Sequence, residues 1–218
     1  MRMLRLPGTY RPQADTRLLA SAFVEQGLHR VDRVLDVGTG TGAVALAAAS
    51  AGSCRVTAVD VSRQAVWTAR LNSAWRRRGV SVLRGDLLEP VRGQTFDVVL
   101  ANPPYVPSPE ENAPRRGRAR AWDAGTDGRL VLDRLCAQVP IHLNPGGTLL
   151  VVHSVLCGVG TTLGLLESVG LRAQVVARSL EPFGPVLTAR AAFLEKRGLL
   201  RPGCREEELV VVRGDFPS

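Results

Sequence analysis

Short apolar runs alternate with segments of helical periodicity along most of the chain. The runs that predict strands lie at Val34–Val37, Arg55–Asp60, Val80–Leu83, Phe96–Ala101, Thr148–Val152, Ala173–Ala177 and Glu208–Val212. The segments that predict helices lie at Ala43–Ala51, Ser62–Arg78, Gly128–Leu143, Thr161–Val169 and Thr188–Arg197. Strands that are apolar over most of their length and are separated by helices indicate a sheet covered on both faces. We therefore predict an α/β fold with a doubly wound, mostly parallel sheet.

The composition is that of an ordinary soluble globular protein. Of the 218 residues, 45% are hydrophobic and 22% are charged, which excludes a disordered chain, a collagen or a coiled coil. We expect a single domain over residues 1–218. No apolar stretch approaches the ~20 residues of a membrane span, and the N-terminus lacks the apolar core of a secretory signal. The cysteines lie far apart, which predicts no metal site and reduced thiols in a cytoplasmic protein: Cys54, Cys136, Cys157 and Cys204.

The net charge of +8 permits two interpretations. Arginines can neutralise phosphates, so a nucleic acid or another anionic partner is one of them. The other is compositional, because Lys196 is the single lysine among 28 basic residues, a skew that a GC-rich genome produces whatever the function. Arginine is also concentrated in the segment 115–120, inside a predicted long loop.

A glycine-rich turn follows the first predicted strand. Asp36, Gly38, Gly40 and Gly42 form a D-x-G-x-G-x-G pattern, which suits S-adenosylmethionine, while G-x-G-x-x-A ending at Ala43 would suit a dinucleotide. The carboxylate of Asp36 would repel a pyrophosphate but attract the ammonium group of a methionine moiety. The pattern therefore favours S-adenosylmethionine, with a dinucleotide oxidoreductase and a turn without a ligand as alternatives.

Two more acids follow successive predicted strands. Asp60 ends the second strand and can accept hydrogen bonds from ribose hydroxyls, and Asp86 follows the third and can accept from an adenine amino group. In an open parallel sheet, ligands bind outside the carboxyl ends of the strands, so these acids and the glycine turn are expected at one site.

The tetrapeptide Asn102-Pro103-Pro104-Tyr105 follows the fourth predicted strand. Two prolines hold this loop stiff, so that the side-chain carbonyl of Asn102 and the main-chain carbonyl of Pro103 can converge as two acceptors. They can hold both N–H groups of an amide or exocyclic amine and aim its lone pair at a methyl donor, while Tyr105 stacks on the planar group. Catalysis would then consist mostly of positioning and electrostatics.

These residues resemble those of the class I S-adenosylmethionine methyltransferases with an N-P-P-Y motif, and above all the HemK-like protein-glutamine methyltransferases. The stretch Thr9–Thr16 is similar to the Y-x-P-x-x-D-T motif of their short branch, and Trp122–Arg129 to its W-x-x-G-x-x-G-R motif. The short branch lacks the N-terminal helical domain of the usual bacterial enzymes. The resemblance implies a Rossmann-like sheet of seven strands with an antiparallel C-terminal strand. The chain departs from the branch in a longer segment, Glu181–Pro202, to which the resemblance assigns no role.

The resemblance also implies roles and partners. Cofactor contacts would come from Thr16, Asp36, Gly38, Asp60, Asp86, Leu87 and Asn102, and the acceptor side chain would lie against Asn102–Tyr105. The implied reaction is methylation of the glutamine amide in a Gly-Gly-Gln motif of a peptide-chain release factor, so that nucleic acid is involved only indirectly. A small zinc-binding activator subunit would pair with an edge strand, Val80–Leu83. Open alternatives are methylation of an adenine or guanine amino group, a small metabolite or a biosynthetic peptide, and a binding module without turnover.

Overall fold

A central sheet of seven strands forms the frame of the molecule. The computed structural model describes residues 3–53, 55–112, 114 and 117–218. The strands are β1 (Arg33–Val37), β2 (Arg55–Asp60), β3 (Val80–Arg84), β4 (Phe96–Ala101), β5 (Leu143–Ser154), β6 (Arg172–Pro182) and β7 (Glu206–Asp215). Their order across the sheet is β3-β2-β1-β4-β5-β7-β6. Strands β1 to β5 pair in parallel, and β7 is antiparallel to both β5 and β6. The doubly wound, mostly parallel sheet with an antiparallel C-terminal strand is thus confirmed.

Helices connect and cover these strands. They are α1 (Ala14–Glu25), α2 (Ala43–Ala51), α3 (Arg63–Trp75), α4 (Leu130–Gln138), α5 (Val159–Ser168) and α6 (Pro185–Lys196). The hydroxyl of Ser62 accepts a hydrogen bond from the Ala65 N–H at 3.4 Å and caps α3 at the predicted position. Within the part of the chain that the structure describes, no helix is long and apolar enough to cross a membrane.

The sheet divides the core into two apolar layers. Neighbouring residues of β1 point to opposite faces, so that Leu35 packs in the cluster with Leu132 while Val34 packs in the one with Phe23. Both layers are closed to solvent, which explains why these strands are apolar at successive positions rather than at alternate ones.

Two local features differ from the sequence expectation. Helix α1 was not predicted, although it buries Leu19, Ala22 and Phe23 on one face, because its first turn overlaps the N-terminal motif. The segment Asn144–Gly147 was expected to turn between a helix and a strand, but it lies within β5. The register of pairing between β4 and β5 shifts there, so the segment forms a bulge within the strand and does not turn the chain.

Candidate active site

One cavity of about 1000 Å³ opens at the carboxyl ends of β1, β2 and β4. Strands β1 and β4 are neighbours, and the sheet order reverses between them. Such a reversal leaves a crevice because the connections leave in opposite directions. All but one of the predicted site residues line this cavity: Thr16, Asp36, Gly38, Gly40, Asp60, Asp86, Leu87, Asn102, Pro103, Pro104 and Tyr105.

The glycine turn lies directly against the acceptor tetrapeptide. Gly38 and Gly40 have φ values of 75° and 56°, a region that favours glycine. A Cβ atom at Gly38 would lie 3.5 Å from the main-chain oxygen of Asn102, an ordinary contact distance, so the two loops are neighbours and it is the backbone conformation rather than crowding that favours glycine there. Gly42 is the one predicted site residue that does not line the cavity. It packs against α3, and a Cβ atom added to it would lie 3.2 Å from the Cβ atom of Ala69. Its predicted cofactor contact stays a prediction.

Asp36 shapes the turn from inside the protein. One carboxylate oxygen accepts from the Thr39 hydroxyl at 2.6 Å and from the Ala45 N–H at 3.0 Å, which satisfies a free donor in the first turn of α2. Burial raises the pKa of Asp36 to about 6, against the lowering effect of these hydrogen bonds. The carboxylate therefore organises the turn and its helix in addition to facing the cavity.

Asp60 holds the opposite side of the turn. Its two carboxylate oxygens accept from the Gly40 N–H at 2.9 Å and the Ser62 N–H at 2.8 Å. Burial raises the pKa of Asp60, and the backbone donors and the charge of Arg120 act against that rise. A carboxylate has about four lone-pair sites, so it can accept further hydroxyl donors from a ligand in the cavity.

Asp86 and Leu87 form the far end of the cavity. A carboxylate oxygen of Asp86 lies 2.6 Å from a guanidinium nitrogen of Arg134, on α4. This exposed ion pair was not predicted, and a ligand amino group would share the carboxylate with it. Leu87 has a φ of 47°, in the left-handed region, and it is buried among apolar residues.

Asp15 links the N-terminal motif to the acceptor tetrapeptide. Its side chain is only 3% exposed, and one carboxylate oxygen accepts from the hydroxyls of Tyr10 at 2.7 Å and Tyr105 at 3.2 Å. The other oxygen accepts from the Thr16 N–H at 2.6 Å. Burial, together with the charge of Asp15, raises the pKa of both tyrosines, so they remain protonated donors. Asp15 lies within the Thr9–Thr16 motif, but the sequence did not predict it as a site residue.

The segment after the tetrapeptide returns to the cavity at Trp122. Val106 donates to the carbonyl of Trp122 at 2.7 Å and accepts from the Ala124 N–H at 3.1 Å, so two chain segments form a narrow neck. Arg129 is buried and donates to the carbonyl of Cys157 at 2.5 Å, which fixes the end of the Trp122–Arg129 motif against the turn after β5. Arginines that sequence reasoning did not assign also line the cavity: Arg63, Arg84, Arg120 and Arg134.

Several solved structures with this architecture are methyltransferases. The E. cuniculi Mtq2–Trm112 complex, which methylates the translation termination factor eRF1, matches with a TM-score of 0.66 and 23% identity, covering 96% of this chain and 99% of that one. The T. thermophilus 16S rRNA N2 G1207 methyltransferase, solved with AdoMet and guanosine, matches with a TM-score of 0.63 and 20% identity, covering 97% of this chain and 46% of that one. The fold is that of the class I methyltransferases.

Sequence comparison narrows the class to a family. A family model described as the methyltransferase small domain matches residues 7–114. A protein of Methanocaldococcus jannaschii with the provisional name protein N5-glutamine methyltransferase is 34% identical over 185 residues, covering 85% of this chain and 92% of its own. The release factor glutamine methyltransferase of Xylella fastidiosa (strain Temecula1) is 35% identical over 190 residues, covering 82% of this chain and 67% of its own. The chain belongs to the protein-glutamine methyltransferase family, and the predicted class of enzyme is confirmed.

Proposed function

We propose that the protein transfers a methyl group from S-adenosylmethionine to the side-chain amide of a glutamine in the Gly-Gly-Gln motif of a peptide-chain release factor. The observation that carries the proposal is the shared cavity. The glycine turn with Asp60 lines one part of it, and Asn102–Tyr105 lines another. The names of the relatives from Methanocaldococcus jannaschii and Xylella fastidiosa support glutamine as the acceptor.

The residues around the cavity fit the cofactor. Gly38 and Gly40 line the cavity with bare backbone, which allows a ligand to approach the main chain of the turn. Asp60 would accept from the ribose hydroxyls, and Asp86 from the adenine amino group, with Thr16, Leu87 and the remaining predicted residues around them. When bound, S-adenosylmethionine supplies an electrophilic methyl group on a sulfonium sulfur.

The acceptor side of the cavity suits a planar NH₂ group. Asn102 and the main chain of Pro103 present carbonyl oxygens that can each accept one N–H, and Pro104 limits the motion of that corner. Tyr105 is anchored by Asp15 through its hydroxyl, which leaves its ring to contact the planar group. These residues would orient the nitrogen and exclude alternative poses, which is how positioning lowers a barrier.

The direct test is methylation of defined peptides with labelled S-adenosylmethionine. A peptide with Gly-Gly-Gln should acquire label on the glutamine, and a matched peptide with Gly-Gly-Asn should acquire much less. Asn102→Ala should lower kcat with little change in the dissociation constant for the cofactor, since the asparagine acts mainly on the acceptor during transfer. A Gly-Gly-Gln peptide and an intact release factor that both stay unlabelled, also when cell extract supplies the proposed activator, would refute the proposal.

A nucleic-acid amino group is a second candidate. The arginines that line the cavity and the net charge of +8 favour an anionic acceptor, and adenine and guanine present the same planar pair of N–H groups. A flipped base would have to occupy the cavity. Oligonucleotide binding should then weaken steeply as salt rises, whereas salt-independent binding would exclude this candidate.

We also propose that a small zinc-binding activator protein docks on the free edge of β3. Strand β3 lies at the end of the sheet, so one side of it is unpaired within the sheet. The neighbouring helix α3 presents an apolar stripe in which Trp67, Leu71 and Trp75 are 59%, 47% and 59% exposed. The complex of Mtq2 with Trm112 supports a partner of this kind.

The activator proposal has its own test. Co-purification with a small zinc-binding protein from the source cell should be lost in Leu71→Glu and retained in Glu25→Gln, an exposed change on α1. Full methylation activity of the isolated chain would refute a required activator and leave the proposed reaction intact.

A further inference from the structure

The segment between β6 and β7 forms a small lobe beside the acceptor loop. Helix α6 and the residues after it have a core of their own, made of Leu187, Ala191, Leu194 and Leu200. Val106 and Leu156 pack against this core. Val106 follows the acceptor tetrapeptide directly, so the lobe rests on the side of the site that would receive the substrate.

One arginine of the lobe reaches both halves of the neck. A guanidinium nitrogen of Arg190, on α6, lies 2.6 Å from a carboxylate oxygen of Asp123 and donates to the carbonyl of Pro107 at 3.0 Å. The side chains are 18% and 7% exposed for Arg190 and Asp123, so the ion pair is largely shielded from water. Pro107 and Asp123 follow Val106 and Trp122, the two residues whose main chains pair across the neck.

This geometry separates acceptor from cofactor. Asp123 and Trp122 line the cavity, whereas Arg190 does not and stands behind them. The two partners of Arg190, Pro107 and Asp123, lie on the acceptor side and not in the loops after β1, β2 and β3 that are expected to hold the cofactor. Removing the guanidinium would leave the Asp123 carboxylate buried without its cation, which favours rearrangement of the neck.

We propose that Arg190 is a positioning residue, which clamps the neck at Pro107 and Asp123 and so sets the acceptor wall of the cavity. The lobe of residues 183–205 thereby has a function: it carries the clamp. The proposal deepens the proposed function and rests on it for the identity of the acceptor, but the clamp itself can be measured without any acceptor.

The experiment compares Arg190→Ala, Arg190→Lys and the control Lys196→Ala, an exposed change on the same helix. Arg190→Ala should raise the KM for a Gly-Gly-Gln peptide about tenfold, the scale expected when one hydrogen bond from a charged group is lost. The dissociation constant for S-adenosylmethionine should stay within about twofold of wild type, far below that tenfold effect. One guanidinium nitrogen makes both contacts, so the ammonium of Arg190→Lys can supply the same charge and donor, and this variant should recover part of the effect.

Hydrogen exchange supplies the measurement that needs no substrate. The N–H groups of Val106 and Ala124, which close the neck, should exchange faster in Arg190→Ala, while those of β1 should not change. If the wild-type enzyme methylates no Gly-Gly-Gln peptide, the proposed acceptor is wrong. Hydrogen exchange at the neck then still tests whether Arg190 holds it in place. Unchanged exchange at the neck, an unchanged peptide KM in an active enzyme, or an equal loss of cofactor affinity would each overturn the proposal.

Discussion

Replacing Asp15 by asparagine tests the contact that joins the N-terminal motif to the acceptor tetrapeptide. In the native protein one carboxylate oxygen accepts from the Tyr10 and Tyr105 hydroxyls, and the other accepts from the Thr16 N–H. The Thr16 N–H is a fixed donor, so in Asp15→Asn the amide oxygen must face it. The NH₂ group then faces two phenols that have lost their anionic acceptor.

The expected loss follows from these bonds. Hydrogen bonds to a charged group contribute about 1.5–3 kcal/mol each, and neutral ones about 0.5–1.5 kcal/mol. Three charge-assisted bonds, from Tyr10, Tyr105 and the Thr16 N–H, become weaker neutral ones, so the free energy of unfolding should fall by about 2–4 kcal/mol. Because Tyr105 belongs to the acceptor corner, kcat should fall as well, with a smaller change in cofactor affinity. Urea unfolding and initial rates measure both, and Glu25→Gln, an exposed amide substitution on the same helix, should change neither.

A double-mutant cycle with Tyr105→Phe provides the refutation. Both substitutions remove the same hydrogen bond between the phenol and the carboxylate, so the double variant should lose less stability than the sum of the single variants. The expected coupling is about 0.5–3 kcal/mol. Losses that add within about 0.5 kcal/mol would show that this contact does not hold Tyr105.

Three further changes have directions that the structure defines. Burial raises the pKa of Glu207 from its ordinary 4.5 to about 7. Between these two pH values the folded state keeps a proton that the unfolded state releases, so the free energy of unfolding falls as pH rises through that range. Glu207→Gln should abolish this fall, a difference of at most about 3 kcal/mol between urea unfolding at pH 5 and pH 8. Gly128→Ala should destabilise by more than the ~1–2 kcal/mol of left-handed strain, since its Cβ would meet the Tyr105 carbonyl oxygen. Asp60→Ala should weaken S-adenosylmethionine binding, measured by calorimetry, at least about tenfold, and it should also lower stability because the Gly40 and Ser62 N–H groups lose their acceptor.

Two of these changes have a matched control. Gly198→Ala carries the same backbone strain, with a φ of 69° and nothing within 4 Å of the new Cβ, so an equal loss in both variants would contradict the predicted clash. Glu206→Gln lies next to Glu207 on an exposed position and should leave the pH dependence unchanged. For Asp60, an unaltered cofactor affinity would contradict the ribose assignment.

The elements that the sequence predicted best are those whose signal is local. Strands β2 and β4 and helix α2 have the predicted bounds, because mostly apolar runs bounded by glycine, serine or proline mark them within a few residues. Helix α1 was not predicted, although its buried residues recur at helical spacing. The reason is that the residues of a functional motif occupy its first turn. Strand β5 begins earlier than expected, since a bulge absorbs its proline and glycines.

Sequence alone determined the fold class and eleven of the residues that line the cavity, because hydrophobic period and the position of polar groups at strand ends are properties of neighbouring residues. Tertiary structure alone decided how those residues are held. The phenol of Tyr105 meets a carboxylate 90 positions away, and Arg134 meets Asp86 across 48 positions. Arg190 reaches Pro107 across 83 positions. Such pairs depend on how helices and loops pack over the sheet, and no pattern within one segment of the chain records that packing.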